Sequence, residues 1–199
     1  MCLIILMLVA PIVPTYWSGR ILEITFNLIL IAGVYPGVWH SSHRWPFAIL
    51  TAITLLVRSL NHLTISIYYE LFAILFTLIW LLYIVMIIIH TLFQFKNITM
   101  DVIVGAVVAY FLIGMCFSQI YIAIEIWKPG SFSGMQQGKE LLSFIIFSLG
   151  NMSGVSFEPV VPVSTISRSI ATLEVVIGTF YVAVTVARLV GLNIEAEKR

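Results

Sequence analysis

The chain has 199 residues, of which 61% are hydrophobic and only 10% charged, with a mean hydropathy of +1.09. A soluble domain carries about 25% charged residues, so a water-clothed globule is excluded and an all-α integral membrane protein is expected. Ten Lys+Arg against nine Asp+Glu leave a net charge of +1 with no basic run, which excludes nucleic-acid binding as a main task.

At about 20 apolar residues per crossing, the length accommodates roughly six or seven spans and no separate soluble domain. The first apolar segment, residues 2–15, contains Pro11 and Pro14 and fits a bent or partly interfacial helix. It lacks a positively charged n-region and a small-x-small cleavage signal, so it reads as a retained segment rather than a signal peptide. Residues 20–38 form the second segment, closed by Pro36 and Gly37, and the third runs from Trp45 and Pro46 to about Leu60. Trp39, Trp45 and the histidines between them resemble an interfacial belt. Segment four, Thr64 to Phe95, holds no Gly or Pro. As one helix it would exceed a bilayer core of about 30 Å, so it must tilt or project.

Segment five is expected from Asp101 to about Trp127, with Thr99 or Asn97 as N-cap, and segment six from about Ile166 to Leu192. Between them, from Lys139 to about Met152, lies an amphipathic helical stretch too short to cross a bilayer. It is followed by SGVSFEPVVP, whose glycine and prolines forbid a continuous helix. A short helix and then non-helical backbone, flanked by two spans, is the outline of a re-entrant pore helix and filter loop, tolerated at membrane depth only inside protein or along a water-filled cavity. Charge leaves the orientation open. With six spans and internal termini, Arg44, Lys96, Arg188, Lys198 and Arg199 oppose Arg20, Arg58, Lys128, Lys139 and Arg168. Cys2 and Cys116 form no C-x-x-C pattern, and no disulfide is expected.

The run ISRSIATLEVVIGTFYVAVTVARLVGL, residues 166–192, resembles the inner helix of bacterial tetrameric potassium channels of the two-helix-plus-pore-loop type, nearest to a six-span subgroup with the same Arg-Ser, Leu-Glu, Gly-x-x-Tyr and Val-Ala-Arg-Leu-Val-Gly elements. Pro129-Gly130-Ser131-Phe132-Ser133 and the stretch Asp101 to Tyr110 resemble that group's approach to the pore. The likeness covers about residues 99–192. It implies a homotetramer in a lipid bilayer, as a multi-pass protein of the cell membrane, here a bacterial inner membrane. A peripheral four-helix unit (1–95) would surround a pore domain (99–192: outer helix, pore helix, filter loop, inner helix), with 193–199 as a short cytoplasmic tail.

The departure falls at the filter. Aligned on Pro162-Val163-Ser164, the family's Thr-x-Gly-Tyr-Gly-Asp coincides with Gly154-Val155-Ser156-Phe157-Glu158-Pro159. Filter glycines let alternate residues adopt positive φ so that carbonyls line the pore. Ser156 or Glu158 in left-handed geometry would cost roughly 1–2 kcal/mol each, and Pro159 restricts Glu158 further. The expectation is a cation pore that is not strictly K⁺-selective, with Ser153, Gly154, Val155, Ser156, Phe157 and Glu158 as filter and ion-contact residues. Glu158 would form a ring of carboxylates; pairing of Glu158 with Arg168 or Lys139 is the structural alternative. Permeant monovalent or divalent cations would be the only ions bound, with no cofactor, no resident metal and no small-molecule substrate.

In the inner helix Gly178 coincides with the family's hinge glycine, though glycine serves close packing equally well. Thr179, Val182, Val186 and Val190 recur at helical spacing as candidate cavity wall and hydrophobic gate, or else as a lipid-facing or subunit-packing stripe. Glu174, an acid inside a span, and Arg168 are expected to support the pore loop. No segment among the first four carries Arg or Lys at repeated three-residue intervals, so strong voltage gating is disfavoured. Two alternatives stand beside the channel: a non-conducting scaffold or regulatory subunit, and a membrane metalloenzyme using His40 and His43 with His62 or His90. No Gly-x-Ser-x-Gly, H-E-x-x-H or phosphate-cradling motif supports an enzyme. With no ligand-binding domain after Leu192, any gating signal would act through the bilayer, the pore or the loops.

Overall fold

The computed structural model describes residues 49, 51–57, 67–95, 99–135, 140–155 and 159–197. The expected segments 2–15 and 20–38, half of 45–60, and the histidines His40, His43 and His62 lie outside the described residues. Residues 51–57 are helical, and Thr51 accepts a 2.7 Å hydrogen bond from the indole N–H of Trp80.

The described chain is mostly helical, with α1 (Ile67–Gln94), α2 (Met100–Trp127), β1 (Phe132–Ser133), α3 (Glu140–Ser153), β2 (Val161–Pro162) and α4 (Thr165–Glu197). Three of these helices are long and apolar enough to cross a membrane: α1, α2 and residues Thr165–Leu192 of α4. The run of straight-chain, branched and aromatic residues in α1 is uninterrupted by Gly or Pro. Its buried side follows helical spacing through Ala73, Thr77, Trp80, Leu81 and Ile84. Thr99 is extended (φ −118°, ψ 162°), and its carbonyl accepts from Val102 and Ile103, starting α2 without a side-chain cap.

α2 ends at a Pro129-Gly130 turn in which the Ser131 N–H reaches the Lys128 carbonyl at 3.2 Å. The Glu125 carboxylate, one turn earlier, accepts from the Gly130 and Phe132 N–H groups at 2.7 and 3.0 Å. These bonds turn the chain into β1, which pairs antiparallel with β2, Phe132 opposite Pro162 and Ser133 opposite Val161. The Ser131 carbonyl also accepts from Val163 N–H and from the Ser167 hydroxyl, at 2.8 and 2.9 Å. Ser164 then caps α4, its hydroxyl accepting from Ser167 N–H at 3.1 Å. The end of α2 and the start of α4 are therefore fastened together, and everything from Gly134 to Pro159 is an excursion that leaves and returns at one place.

Within that excursion α3 packs against both α2 and α4. It is buried on almost every side, including Leu142, Phe144, Ile145, Phe147, Leu149 and Met152, as expected of a helix that is apolar nearly all round. With 14 residues it is about 21 Å long, short of the ~30 Å hydrocarbon core. The core centres on aromatic rings at the α2–α3–β1 junction. Tyr121 meets Phe132 and Phe147 edge-on at 5.3 and 5.2 Å, and Phe132 meets Phe144 at 4.9 Å.

The spanning part of α4 ends at Leu192, as expected, and the helix runs on to Glu197, since Asn193 to Glu197 contains neither Gly nor Pro to stop it.

Candidate functional site

Where α3 ends, its last turn is closed by the chain folding back. Ser153 is the final helical residue, its hydroxyl donating to the Gly150 carbonyl at 3.0 Å. Gly154 adopts φ +72°, the left-handed terminator position that favours glycine. Its N–H reaches the Asn151 carbonyl at 3.1 Å, and the Val155 N–H reaches the Gly150 carbonyl at 2.9 Å. Of the six residues assigned to a filter, Ser153, Gly154 and Val155 thus finish a helix. All three residues are exposed in the single chain. Ser156, Phe157 and Glu158 lie outside the described residues, as does Lys139. Arg168 is exposed on the first turn of α4, and its Nε donates to the Pro162 carbonyl at 3.2 Å, which ties the helix start to β2.

Glu174 lies one and a half turns beyond Arg168 and is fully buried. Its carboxyl group collects donors from two other helices. Tyr121 Oη of α2 approaches Oε2 at 2.5 Å and Asn151 Nδ2 of α3 approaches the same oxygen at 3.1 Å, while the Ser148 hydroxyl of α3 meets Oε1. Ser148 also lies 2.7 Å from the Gly114 carbonyl of α2. A buried carboxyl group is costly unless it is hydrogen-bonded, and this one is bonded to both neighbouring helices. The cluster therefore pins α2, α3 and α4 to one another at a single point.

Gly178 sits one turn further along, buried against the end of α3. A Cβ there would meet Met152 Cα and carbonyl oxygen at 3.0 Å, so glycine is required by close approach of two backbones. This is the packing alternative for Gly178; its helix is unbroken on both sides.

Beyond Gly178 the character of α4 changes. Thr179, Val182, Val186 and Val190 are all exposed in the single chain, the three valines at 46%, 53% and 54%. The Thr179 hydroxyl donates to the Val175 carbonyl one turn earlier on the same helix at 2.8 Å. The opposite side is held at two points. Tyr181 Oη donates to the Ala106 carbonyl of α2 at 2.7 Å. Arg188 reaches across to the end of α1, donating to the Leu92, Phe93 and Phe95 carbonyls at 3.4, 2.5 and 3.2 Å, with its guanidinium 4.7 Å from the Phe93 ring centre.

The sequence reading named Glu174 but missed its partners Tyr121, Ser148 and Asn151. Ser148 and Asn151, three residues apart on an otherwise apolar helix, were the available signal, since that spacing puts both on one face. Arg188 was visible as part of the Val-Ala-Arg-Leu-Val-Gly element and as a charge near a span end, without its carbonyl partners at the end of α1. Among the described residues no group of three or more metal-ligating side chains occurs; His90 is exposed on α1.

No protein-family model, curated protein or solved structure matches this chain.

Proposed function

We propose that the protein is a tetrameric cation channel of the bacterial inner membrane, with the architecture its 99–192 region resembles. In this reading α2 is the outer helix, α3 the re-entrant pore helix and α4 the inner helix. Residues 1–95, six spans in total with α2 and α4, form the periphery. The observation that carries it is α3: a buried helix too short to cross, inserted between two spans whose ends are fastened by β1 and β2. Non-helical backbone following such a helix is tolerated at membrane depth where it lines a water-filled path.

Cation preference has two sources. The C-terminal end of α3, carrying the partial negative charge of a helix C-terminus, leads straight into the loop. Four copies of Glu158, with Ser153 and Ser156, would add an acidic and polar ring at the mouth. Without the Gly-Tyr-Gly backbone the pore would pass K⁺ without rejecting Na⁺ strictly. Thr179, Val182, Val186 and Val190 would line the inner path, with Glu174 and Arg168 supporting the loop.

Planar-bilayer recordings of purified protein under K⁺/Na⁺ and K⁺/Cl⁻ gradients test this. The expected result is cation over anion selectivity, weakened by Glu158→Gln. Strict K⁺ selectivity or anion selectivity would refute the filter reading. A well-folded oligomer with no current would instead establish the channel-like scaffold.

A further inference from the structure

A cleft of about 340 Å³ lies where α1, α2 and α4 meet, lined by Leu92, Val102, Ala106, Ile177, Val184 and Arg188 among others. That volume falls within the ~300–1,000 Å³ of small-molecule sites. Its lining is apolar except for Arg188 and the hydroxyl-bearing Tyr181 and Thr185. Along α4 the lining runs from Ile177 to Leu192, 15 residues, about 22 Å of helix, roughly three-quarters of the ~30 Å hydrocarbon core. The cleft is therefore long enough to take an acyl chain lying along α4. Arg188 lies beside the last residues of α1, near the boundary expected for a headgroup.

Arg188 supplies the second observation. Among the described residues its partners are three carbonyl oxygens and one aromatic ring, none of them an anion. A cation at a span end without a counter-charge favours an anionic partner, and basic pockets between spanning helices suit lipid phosphates. The carbonyls hold the guanidinium on the cleft wall through Nε and Nη2, so a phosphate would meet a positioned donor rather than a mobile side chain.

We propose that this cleft is a binding site for an anionic phospholipid, one acyl chain lying between α1, α2 and α4 and the phosphate meeting Arg188. The site stands on the spanning helices alone and does not require conduction. Native mass spectrometry of the purified full chain tests it, with phosphatidylglycerol and phosphatidylcholine of equal chain length titrated in parallel. Wild type should retain phosphatidylglycerol about fivefold more strongly, the scale of one basic residue near an anionic headgroup. Arg188→Gln should bind the two lipids equally, and Val184→Trp, which fills the cleft without touching the charge, should lose both. Equal binding of the two lipids by wild type, or unchanged phosphatidylglycerol binding by folded Val184→Trp, would overturn the proposal. Should Arg188→Gln fail to fold, Val184→Trp and the wild-type lipid preference decide it.

Discussion

α2 and the spanning part of α4 are alike by every sequence measure. Each has 28 residues, with window hydropathies of 2.2 and 2.0, yet 44% of the α2 window is buried inside the single chain against 11% of the α4 window. The excess burial of α2 comes from its central place, with α1 packed on one side and α3 on another. α4 touches its own chain along a narrow strip and turns its remaining surface outward. Apolar content alone says that both helices can live in a bilayer. The difference in burial says that α2 is scaffold and α4 has a surface left over for other copies, lipid or a pathway.

α4 itself divides at Gly178. Before it, Ser164, Ser167, Glu174 and Gly178 are fixed by capping, hydrogen bonds and backbone contact. After it, Tyr181 and Arg188 hold one side while the valines face out. Breaking the polar cluster should have the largest effect. Glu174→Ala leaves Tyr121, Ser148 and Asn151 without their common acceptor, and a loss of about 2–5 kcal/mol is expected, measured by denaturant unfolding in detergent. Glu174→Gln, which keeps one carbonyl acceptor, should recover part of it.

A glycine pair sharpens the same boundary. Gly178→Ala forces a methyl group against the Met152 backbone and should cost about 1–3 kcal/mol. Gly191→Ala, whose new methyl meets nothing within 4 Å, should be neutral or stabilising by up to about 1 kcal/mol, since alanine is the better helix former. Equal effects at the two positions would mean that Gly178 is not a packing glycine. Tyr181→Phe removes one bond to α2 and should cost about 0.6 kcal/mol, the average for hydrogen bonds between membrane helices. Smallest of all, Val186→Ala should change the stability of the isolated chain by less than about 0.5 kcal/mol, as for other exposed positions. A larger loss in the assembled protein would mark Val186 as a contact between copies.

Much of this frame was legible beforehand. The long Gly- and Pro-free run gave α1, the apolar run from Asp101 to Trp127 gave α2, and the stretch 139–152 matched α3 within a residue at each end, because periodicity and punctuation act locally. The pairing of β1 with β2 was not legible. Two residues per strand carry no alternation, and their register is set by contacts about 30 residues apart. Nor was the way the chain closes α3. Gly154 is expected in the filter from the sequence, and its φ of +72° shows that it also closes α3. The cluster at Glu174 needed three helices in place before Tyr121, Ser148 and Asn151 could be recognised as one unit. The role of Arg188 needed the end of α1 beside it.

The central claim is that the outward face of α4 lines a conducting path. Cysteine accessibility in reconstituted bilayers tests it most directly: Val186→Cys is recorded before and after a charged, thiol-reactive methanethiosulfonate, with wild type as control for Cys2 and Cys116. The account predicts a cation current that the reagent blocks in Val186→Cys and leaves unchanged in wild type. A current equally unaffected in fully labelled Val186→Cys would contradict it.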